Sequence, residues 1–135
     1  MSFVYPHVSL IAIIAAAVWQ FVLGFLWYAP FTPTGRTWAS YQTIPEGAKP
    51  GLEMIAFPVG SLFAAWATAV VYAWSGAHGL IEGALVGLVL AVAVGVQVLT
   101  TAVADNKLVP SLLAVNLGYV LIAYVGSGKI IGLLS

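Results

Sequence analysis

Four long apolar segments, separated by clusters of proline, glycine and charged residues, dominate the chain. A helix of about 20 apolar residues is enough to cross a bilayer, and each segment reaches that length. The segments predict membrane spans at about 7–28, 54–75, 80–104 and 110–134. We therefore expect an all-α integral membrane protein that folds as a single transmembrane domain over residues 1–135.

The connections between these spans differ in length. The first, 29–53, is long and rich in proline and glycine, whereas those near Ser75–Gly79 and Asp105–Val109 are short. Short connections join antiparallel neighbours, which predicts an up-down four-helix bundle. Within the long connection, Arg36–Ile44 is expected to form a short helix at the membrane surface.

Aromatic and basic residues predict how the chain sits in the membrane. Trp27, Tyr28 and Trp38 are expected to be interfacial anchors, because amphipathic rings favour the headgroup level. Three of the four basic residues lie on the side of the long connection: Arg36, Lys49 and Lys107. The positive-inside rule then predicts that this side is cytoplasmic and that both ends of the sequence lie outside.

Small and polar side chains recur at spacings of three and four within each predicted span. Such stripes let membrane helices approach closely and form hydrogen bonds, so we expect them to face the bundle interior. Gly83-x-x-x-Gly87 and Gly128-x-x-x-Gly132 are two pairs of this kind. The stripe expected in the third span has five members: Gly83, Gly87, Ala91, Gln97 and Thr101.

Counting along the helices places the polar residues of the spans in one layer, on the side of the long connection. The layer is expected to contain seven residues: Gln20, Ser61, Gln97, Thr100, Thr101, Asn116 and Tyr119. One interpretation is interhelical glue, in which the amides of Gln20, Gln97 and Asn116 satisfy one another. The other is a one-sided polar pocket between spans one, three and four, beneath the Trp27-Tyr28 end of the first span, which admits water, an ion or a small solute.

Composition supports the membrane assignment and argues against several functions. Of the residues, 62% are hydrophobic and only 6% are charged, whereas soluble domains carry about 25% charged residues. The net charge of zero and the lack of a basic run argue against a nucleic-acid partner. The chain has no cysteine, and it shows no metal-ligand spacing or nucleophile motif. We therefore expect no catalytic residue, no metal and no cofactor.

The end of the first span resembles the opening signature of the membrane proteins called domain of unknown function 1761. The matching run is Phe21-x-Leu23-Gly24-x-Leu26-Trp27-Tyr28-Ala29-Pro30, followed by Gly35-Arg36-x-Trp38. Two later landmarks are similar: Thr100-Thr101 and Asn116-x-Gly118-Tyr119. The chain departs from the family at Val120, where a histidine is frequent, and at Asp105-Asn106-Lys107, which replaces an aromatic and acidic linker.

The resemblance implies a small four-span protein of bacterial or fungal type, and for a bacterial chain a place in the inner membrane. It names no activity. From the residues themselves we expect a non-enzymatic protein, with the lipid bilayer as its surroundings, that acts as a homo-oligomer or as an accessory subunit of a larger membrane complex. The alternative function is a small channel or carrier that uses the polar pocket.

Overall fold

The structure is a computed structural model that describes residues 8–40, 53–105 and 109–135. Within these ranges the chain forms five helices and no strand: α1 (Leu10–Trp27), α2 (Pro33–Ala39), α3 (Glu53–Trp74), α4 (Gly79–Ala104) and α5 (Pro110–Leu134). The four long helices correspond to the four predicted spans, and their ends differ from the predicted ends by at most three residues. The expected all-α membrane bundle is confirmed.

The helix ends follow from local side-chain chemistry. The Ser9 hydroxyl caps α1 by accepting the Ala12 N–H at 3.2 Å, and Pro110 occupies the first turn of α5, where its missing N–H leaves no bond unmade. Between α3 and α4 the chain reverses through Gly76 and Gly79, whose φ angles of 73° and 81° favour glycine. The short connection predicted near Ser75–Gly79 agrees with this geometry.

The long helices pack around α5, which contacts α1, α3 and α4. α1 also packs on α3, whereas α3 and α4 touch sparingly and α1 and α4 make no contact among the described residues. The buried core between α1, α3 and α5 combines four alanines with three larger side chains: Ala12, Ala16, Ala65 and Ala69 with Ile13, Tyr72 and Ile131. Therefore α1 and α4 are attached to different sides of α5.

Glycines bring the backbones of α4 and α5 into direct contact. A Cβ added at Gly83 would clash with the carbonyl oxygen of Gly128, and one added at Gly132 would clash with the carbonyl oxygen of Gly79. Gly87 lies equally close to the backbone of α5 at Tyr124. The two small-x-x-x-small pairs predicted from the sequence therefore pack against each other, as expected of closely spaced membrane helices.

The outer surface of the bundle is apolar over all four spans. Each span contains a strongly apolar stretch of 18 residues, of which at most a third is buried within the chain. Exposed leucine, isoleucine, valine and phenylalanine side chains cover the rest. Such a surface requires lipid as its solvent, so the protein is an integral membrane protein.

The short helix α2 lies at the end of α1, and it begins three residues before the helix predicted at Arg36–Ile44. It starts early because the Thr32 hydroxyl accepts the Gly35 N–H at 3.1 Å and Pro33 occupies its first turn. The end of the predicted segment, from residue 41 on, lies outside the described residues.

Candidate functional site

Two aromatic side chains bind the end of α1 to the start of α5. The Trp27 indole N–H donates to the Val115 carbonyl at 2.9 Å, and the Tyr28 hydroxyl donates to the Oδ1 of Asn116 at 2.8 Å. Both aromatic side chains are half-buried. They lie at the end of the span, where interfacial anchors were predicted, but their polar groups are directed at the neighbouring helix.

The helix α2 packs against this end of the bundle through a backbone contact. Gly35 is buried so closely on the backbone of Ala29 that an added Cβ would clash with it. The Thr34 hydroxyl donates to the Trp27 carbonyl, which α1 leaves without an intrahelical partner. Trp38, the third predicted anchor, contacts Tyr28 edge to face, with ring centroids 5.4 Å apart.

Beneath Tyr28, aromatic rings fill the space between α1, α3 and α5. Tyr119 lies 5.4 Å from Tyr28 and 6.3 Å from Phe57, measured between ring centroids. The Phe57 ring occupies the place that a side chain at position 24 would take, because a Cβ on Gly24 would clash with it. These rings therefore lie at the end of the bundle where the sequence predicts a pocket.

Deeper in the bundle, Gln20 connects the same two helices. Its Nε2 donates to the Ser127 hydroxyl at 2.9 Å, and its backbone carbonyl accepts the Tyr119 hydroxyl at 3.2 Å. Gln20 and Ser127 are 4% and 0% exposed, so this amide is isolated from lipid. At the preceding residue of α1, the Trp19 indole donates to the Ala123 carbonyl at 3.2 Å.

We call this set of interacting residues the α1–α5 polar layer. Its members are Gln20, Tyr28, Asn116, Tyr119 and Ser127. Four of them were singled out in the sequence, as layer residues or as an anchor. Ser127 was not among the residues predicted for the layer, and the contributions of Trp19 and Phe57 were missed because an aromatic residue in an apolar run carries no distinguishing pattern.

The remaining predicted site residues lie elsewhere. Gln97, Thr100 and Thr101 are exposed on α4, and the Thr100 hydroxyl donates to the Gln97 carbonyl within the helix. Ser61 is buried in α3. The expectation that spans one, three and four meet around one polar site needs correction, because α4 presents its glycine face to α5 while α1 lies on another side of α5. Gln20 and Asn116 do form interhelical bonds, but neither bonds to the other or to Gln97.

The electrostatic character of the layer is that of neutral donors and acceptors. Tyr28 follows the last residue of the α1 span, and its burial, with the Tyr119 phenol as a second cause, raises the pKa of its hydroxyl above the ordinary value. It is therefore protonated at physiological pH and available to donate to Asn116. This arrangement joins α1 to α5 through neutral hydrogen bonds.

A cavity of about 430 Å³ lies at the opposite end of the bundle. Its polar lining consists of Ser9, Tyr72, His78 and Ser135, among small apolar residues. The Tyr72 hydroxyl accepts the Gly79 N–H at 3.0 Å, and Glu82 accepts the His78 N–H at 3.2 Å, so these groups stabilise the α3–α4 turn. Within the described ranges no group of three or more His, Asp or Glu residues is placed to hold a metal ion.

Comparison with protein families decides the identification. The model of the family described as "Protein of unknown function (DUF1761)" matches residues 11–132. The chain is a DUF1761 protein. The resemblance inferred from its sequence is thereby confirmed over nearly the whole chain. No curated protein and no solved structure matches it.

The signature of this DUF1761 protein has a direct structural explanation. Gly24 makes room for Phe57, Trp27 and Tyr28 bond to α5, and Gly35 packs on Ala29. At the second landmark, Gly118 admits the Trp27 ring, since an added Cβ would lie 3.0 Å from its Cζ2. The signature therefore describes one assembly, in which α2 and the end of α1 are joined to α5. Val120, one of the positions where the sequence was expected to depart from the family, is buried.

The Tyr28–Asn116 hydrogen bond can be measured by a double-mutant cycle. We expect Tyr28→Phe and Asn116→Leu to lower the free energy of unfolding by less in combination than the sum of the two single effects. The coupling should be about 0.6 kcal/mol, the average between membrane helices, and at most about 1.7 kcal/mol. Unfolding in detergent mixtures provides the measurement. Strictly additive effects would show that the bond does not stabilise the bundle.

Proposed function

We propose that this DUF1761 protein is a non-enzymatic membrane subunit that acts by associating with other transmembrane helices, either further copies of itself or a larger membrane complex. The observation that carries the proposal is the use of the polar interior. Each buried side-chain nitrogen or oxygen of the described residues has a hydrogen-bond partner. In the α1–α5 polar layer those partners join helices, so the groups are engaged in packing.

The polar interior therefore favours packing over transport. A channel or carrier needs polar groups that converge on a path, and the residues expected to form that path are divided between α4 and the α1–α5 polar layer. Tyr119 contacts the rings of Tyr28 and Phe57, and Asn116 accepts the Tyr28 hydroxyl. The charged residues Glu82, Asp105 and Lys129 are exposed near helix ends, away from this layer.

Crosslinking in native membranes tests the proposed function. A short amine- or photo-reactive crosslinker, followed by mass spectrometry, is expected to capture the 14.1 kDa chain in complexes with itself or with one recurrent membrane protein. Capture only as a monomer, together with solute flux through proteoliposomes, would overturn the proposal. In the flux assay Asn116→Leu is the informative variant, because a pore residue would reduce flux without changing the thermal stability.

We further propose that the protein lies in a bacterial inner membrane with the α2 side in the cytoplasm. Arg36 is exposed on α2, and Lys129 is exposed toward the opposite end of the bundle. The positive-inside bias of the whole sequence supports this orientation. Because the chain contains no cysteine, single cysteines can report it directly. Ser40→Cys should resist an impermeant maleimide in intact cells, whereas Ala77→Cys should react.

A further inference from the structure

The helix α4 has three faces of different character. One is the glycine face, where Gly83, Gly87 and Ala91 are buried on α5. A second face is exposed and carries bulky apolar side chains suited to lipid: Leu85, Leu88, Val89, Val92, Val96, Leu99 and Val103. The third face, which we call the α4 seam, lies between these two around the helix. Its first two residues are apolar, and from Ala93 onward it consists of small and polar residues.

The α4 seam has the spacing of a helix-packing interface. Its members follow one another at intervals of four, three, four, three and four residues: Val86, Leu90, Ala93, Gln97, Thr100 and Ala104. Alternating intervals of three and four form the repeat of left-handed helix pairs that cross at small angles. Near the α3–α4 turn, Val86 packs against the buried core of the chain itself. Toward the other end of α4, the seam is exposed from Ala93 onward because α3 makes few contacts with α4.

Gln97 lies in the exposed part of the seam, within the candidate membrane span Gly79–Ala104. It precedes the end of α4 by seven residues, which is about 10 Å along the helix. Its side-chain amide bonds to none of the residues in the described ranges, and its backbone carbonyl accepts only the Thr100 hydroxyl beyond the helix pattern. Hydrocarbon cannot hydrogen-bond an amide, so leaving it unpaired costs free energy.

We propose that the exposed half of the α4 seam binds the same surface of a second copy of this chain, with the two Gln97 amides donating to each other. The proposal rests on the proposed function and specifies its partner. Copies inserted in one orientation are related by a two-fold axis along the membrane normal, which brings Gln97 of each copy to the same depth. A primary amide is donor and acceptor at once, so two identical amides satisfy one another. Ala93, Thr100 and Ala104 are small enough to allow close approach.

Cysteine crosslinking maps the interface without background, because the chain has no native cysteine. Oxidation in native membranes is expected to give disulfide-linked dimers for Ala93→Cys, Thr100→Cys and Ala104→Cys. The matched controls Val89→Cys, Val92→Cys and Val96→Cys, on the bulky face of the same helix, should stay monomeric. Dimers at the control positions instead of the seam would overturn the proposed interface. So would rapid reaction of Ala93→Cys with an impermeant maleimide, which would show an aqueous cleft.

A second measurement tests the amide itself. Gln97→Leu is expected to raise the dissociation constant of the dimer in liposomes about tenfold, as the loss of two interhelical hydrogen bonds predicts. Gln97→Asn, which keeps an amide, should recover part of the affinity. Val96→Leu should leave the affinity unchanged. Fluorescence energy transfer between labelled copies, measured as the protein is diluted with lipid, gives these constants. An unchanged constant in Gln97→Leu would overturn the role of the amide.

The outcomes of these experiments distinguish the dimer along the α4 seam from the broader proposal that the protein associates with other transmembrane helices. Stable dimers that crosslink elsewhere would overturn the seam and leave the proposed function standing. Crosslinks from the seam to another membrane protein would overturn the second copy as partner while supporting an accessory subunit. Monomers without any crosslinked partner in native membranes would overturn both.

Discussion

Replacing Gly128 with leucine is expected to separate α4 from α5 and to lower the free energy of unfolding by about 3 kcal/mol, the upper end of ordinary overpacking effects. Gly128 faces the backbone of α4, where the carbonyl of Gly83 and the nitrogen of Gly87 occupy the space that a side chain would need. A flexible side chain could rotate away from the new group, but a helix backbone cannot. The two helices would therefore have to move apart along the contact.

The matched control is Gly60→Leu. Gly60 is also a helical glycine of a membrane span, but nothing lies within 4 Å of its Cβ position. Its replacement should leave the free energy of unfolding nearly unchanged. Unfolding of both variants in mixed micelles, with protease cleavage of the connection between α4 and α5 as a second readout, provides the comparison. Equal stability of the two variants would contradict the close backbone contact.

Replacing Gly35 with valine is expected to detach α2 from the end of α1. The position faces the backbone of Ala29, so that a Cβ alone is already too large. Displacement of α2 would break the Thr34–Trp27 hydrogen bond and the Trp38–Tyr28 ring contact. We expect a loss of about 2 to 3 kcal/mol in the free energy of unfolding, since overpacking and the loss of a local contact act together.

The fluorescence of Trp38 provides a measurement of whether α2 is detached. In a variant whose fluorescence reports on Trp38, adding Gly35→Val should shift the emission to longer wavelength, because the ring leaves Tyr28. The matched control is Ala39→Val, which adds two methyl groups at an exposed position of the same helix. A similar shift in both variants would mean that α2 is held by something other than the Gly35 contact.

The positions of the spans could be predicted from the sequence because hydropathy alone determines them. In lipid only helices and closed barrels satisfy the backbone, the apolar runs have the length of helices, and proline and glycine mark the connections. The sequence could also predict that the two glycine motifs pack against each other, since among the long helices only α4 and α5 carry a Gly-x-x-x-Gly pair. The order in which the helices surround α5 could not be predicted, because any up-down arrangement satisfies the same pattern of apolar residues.

The site was predictable in its residues but not in its partners. Gln20 and Asn116 stand out as amides in apolar runs, yet their bonds to Ser127 and Tyr28 depend on how α1 is rotated against α5. Tryptophan and tyrosine at the end of a span give the same pattern whether they meet headgroups or another helix.

On α4, the sequence pattern combined two faces of one helix. The expected stripe jumped six residues from Ala91 to Gln97, which corresponds to a rotation of about 120° around a helix. The structure separates the two parts, because Ala91 is buried on α5 with the glycine face and Gln97 is exposed on the seam. Spacing alone could not show this, since small and polar residues are compatible with either face.

The unequal lengths of the helices have a consequence for the surrounding lipid. α1 crosses with 18 residues and α4 with 26, which correspond to about 27 Å and 39 Å, whereas the hydrocarbon core is about 30 Å thick. The bilayer beside the short helix α1 has to become thinner, or the ends of α1 do not reach the headgroups. The longer helix α4 has to tilt, or the bilayer beside it has to become thicker. Two copies that meet along α4 would cover part of the longer helix and so relieve this hydrophobic mismatch. Bilayer thickness therefore becomes a variable that favours or opposes their assembly.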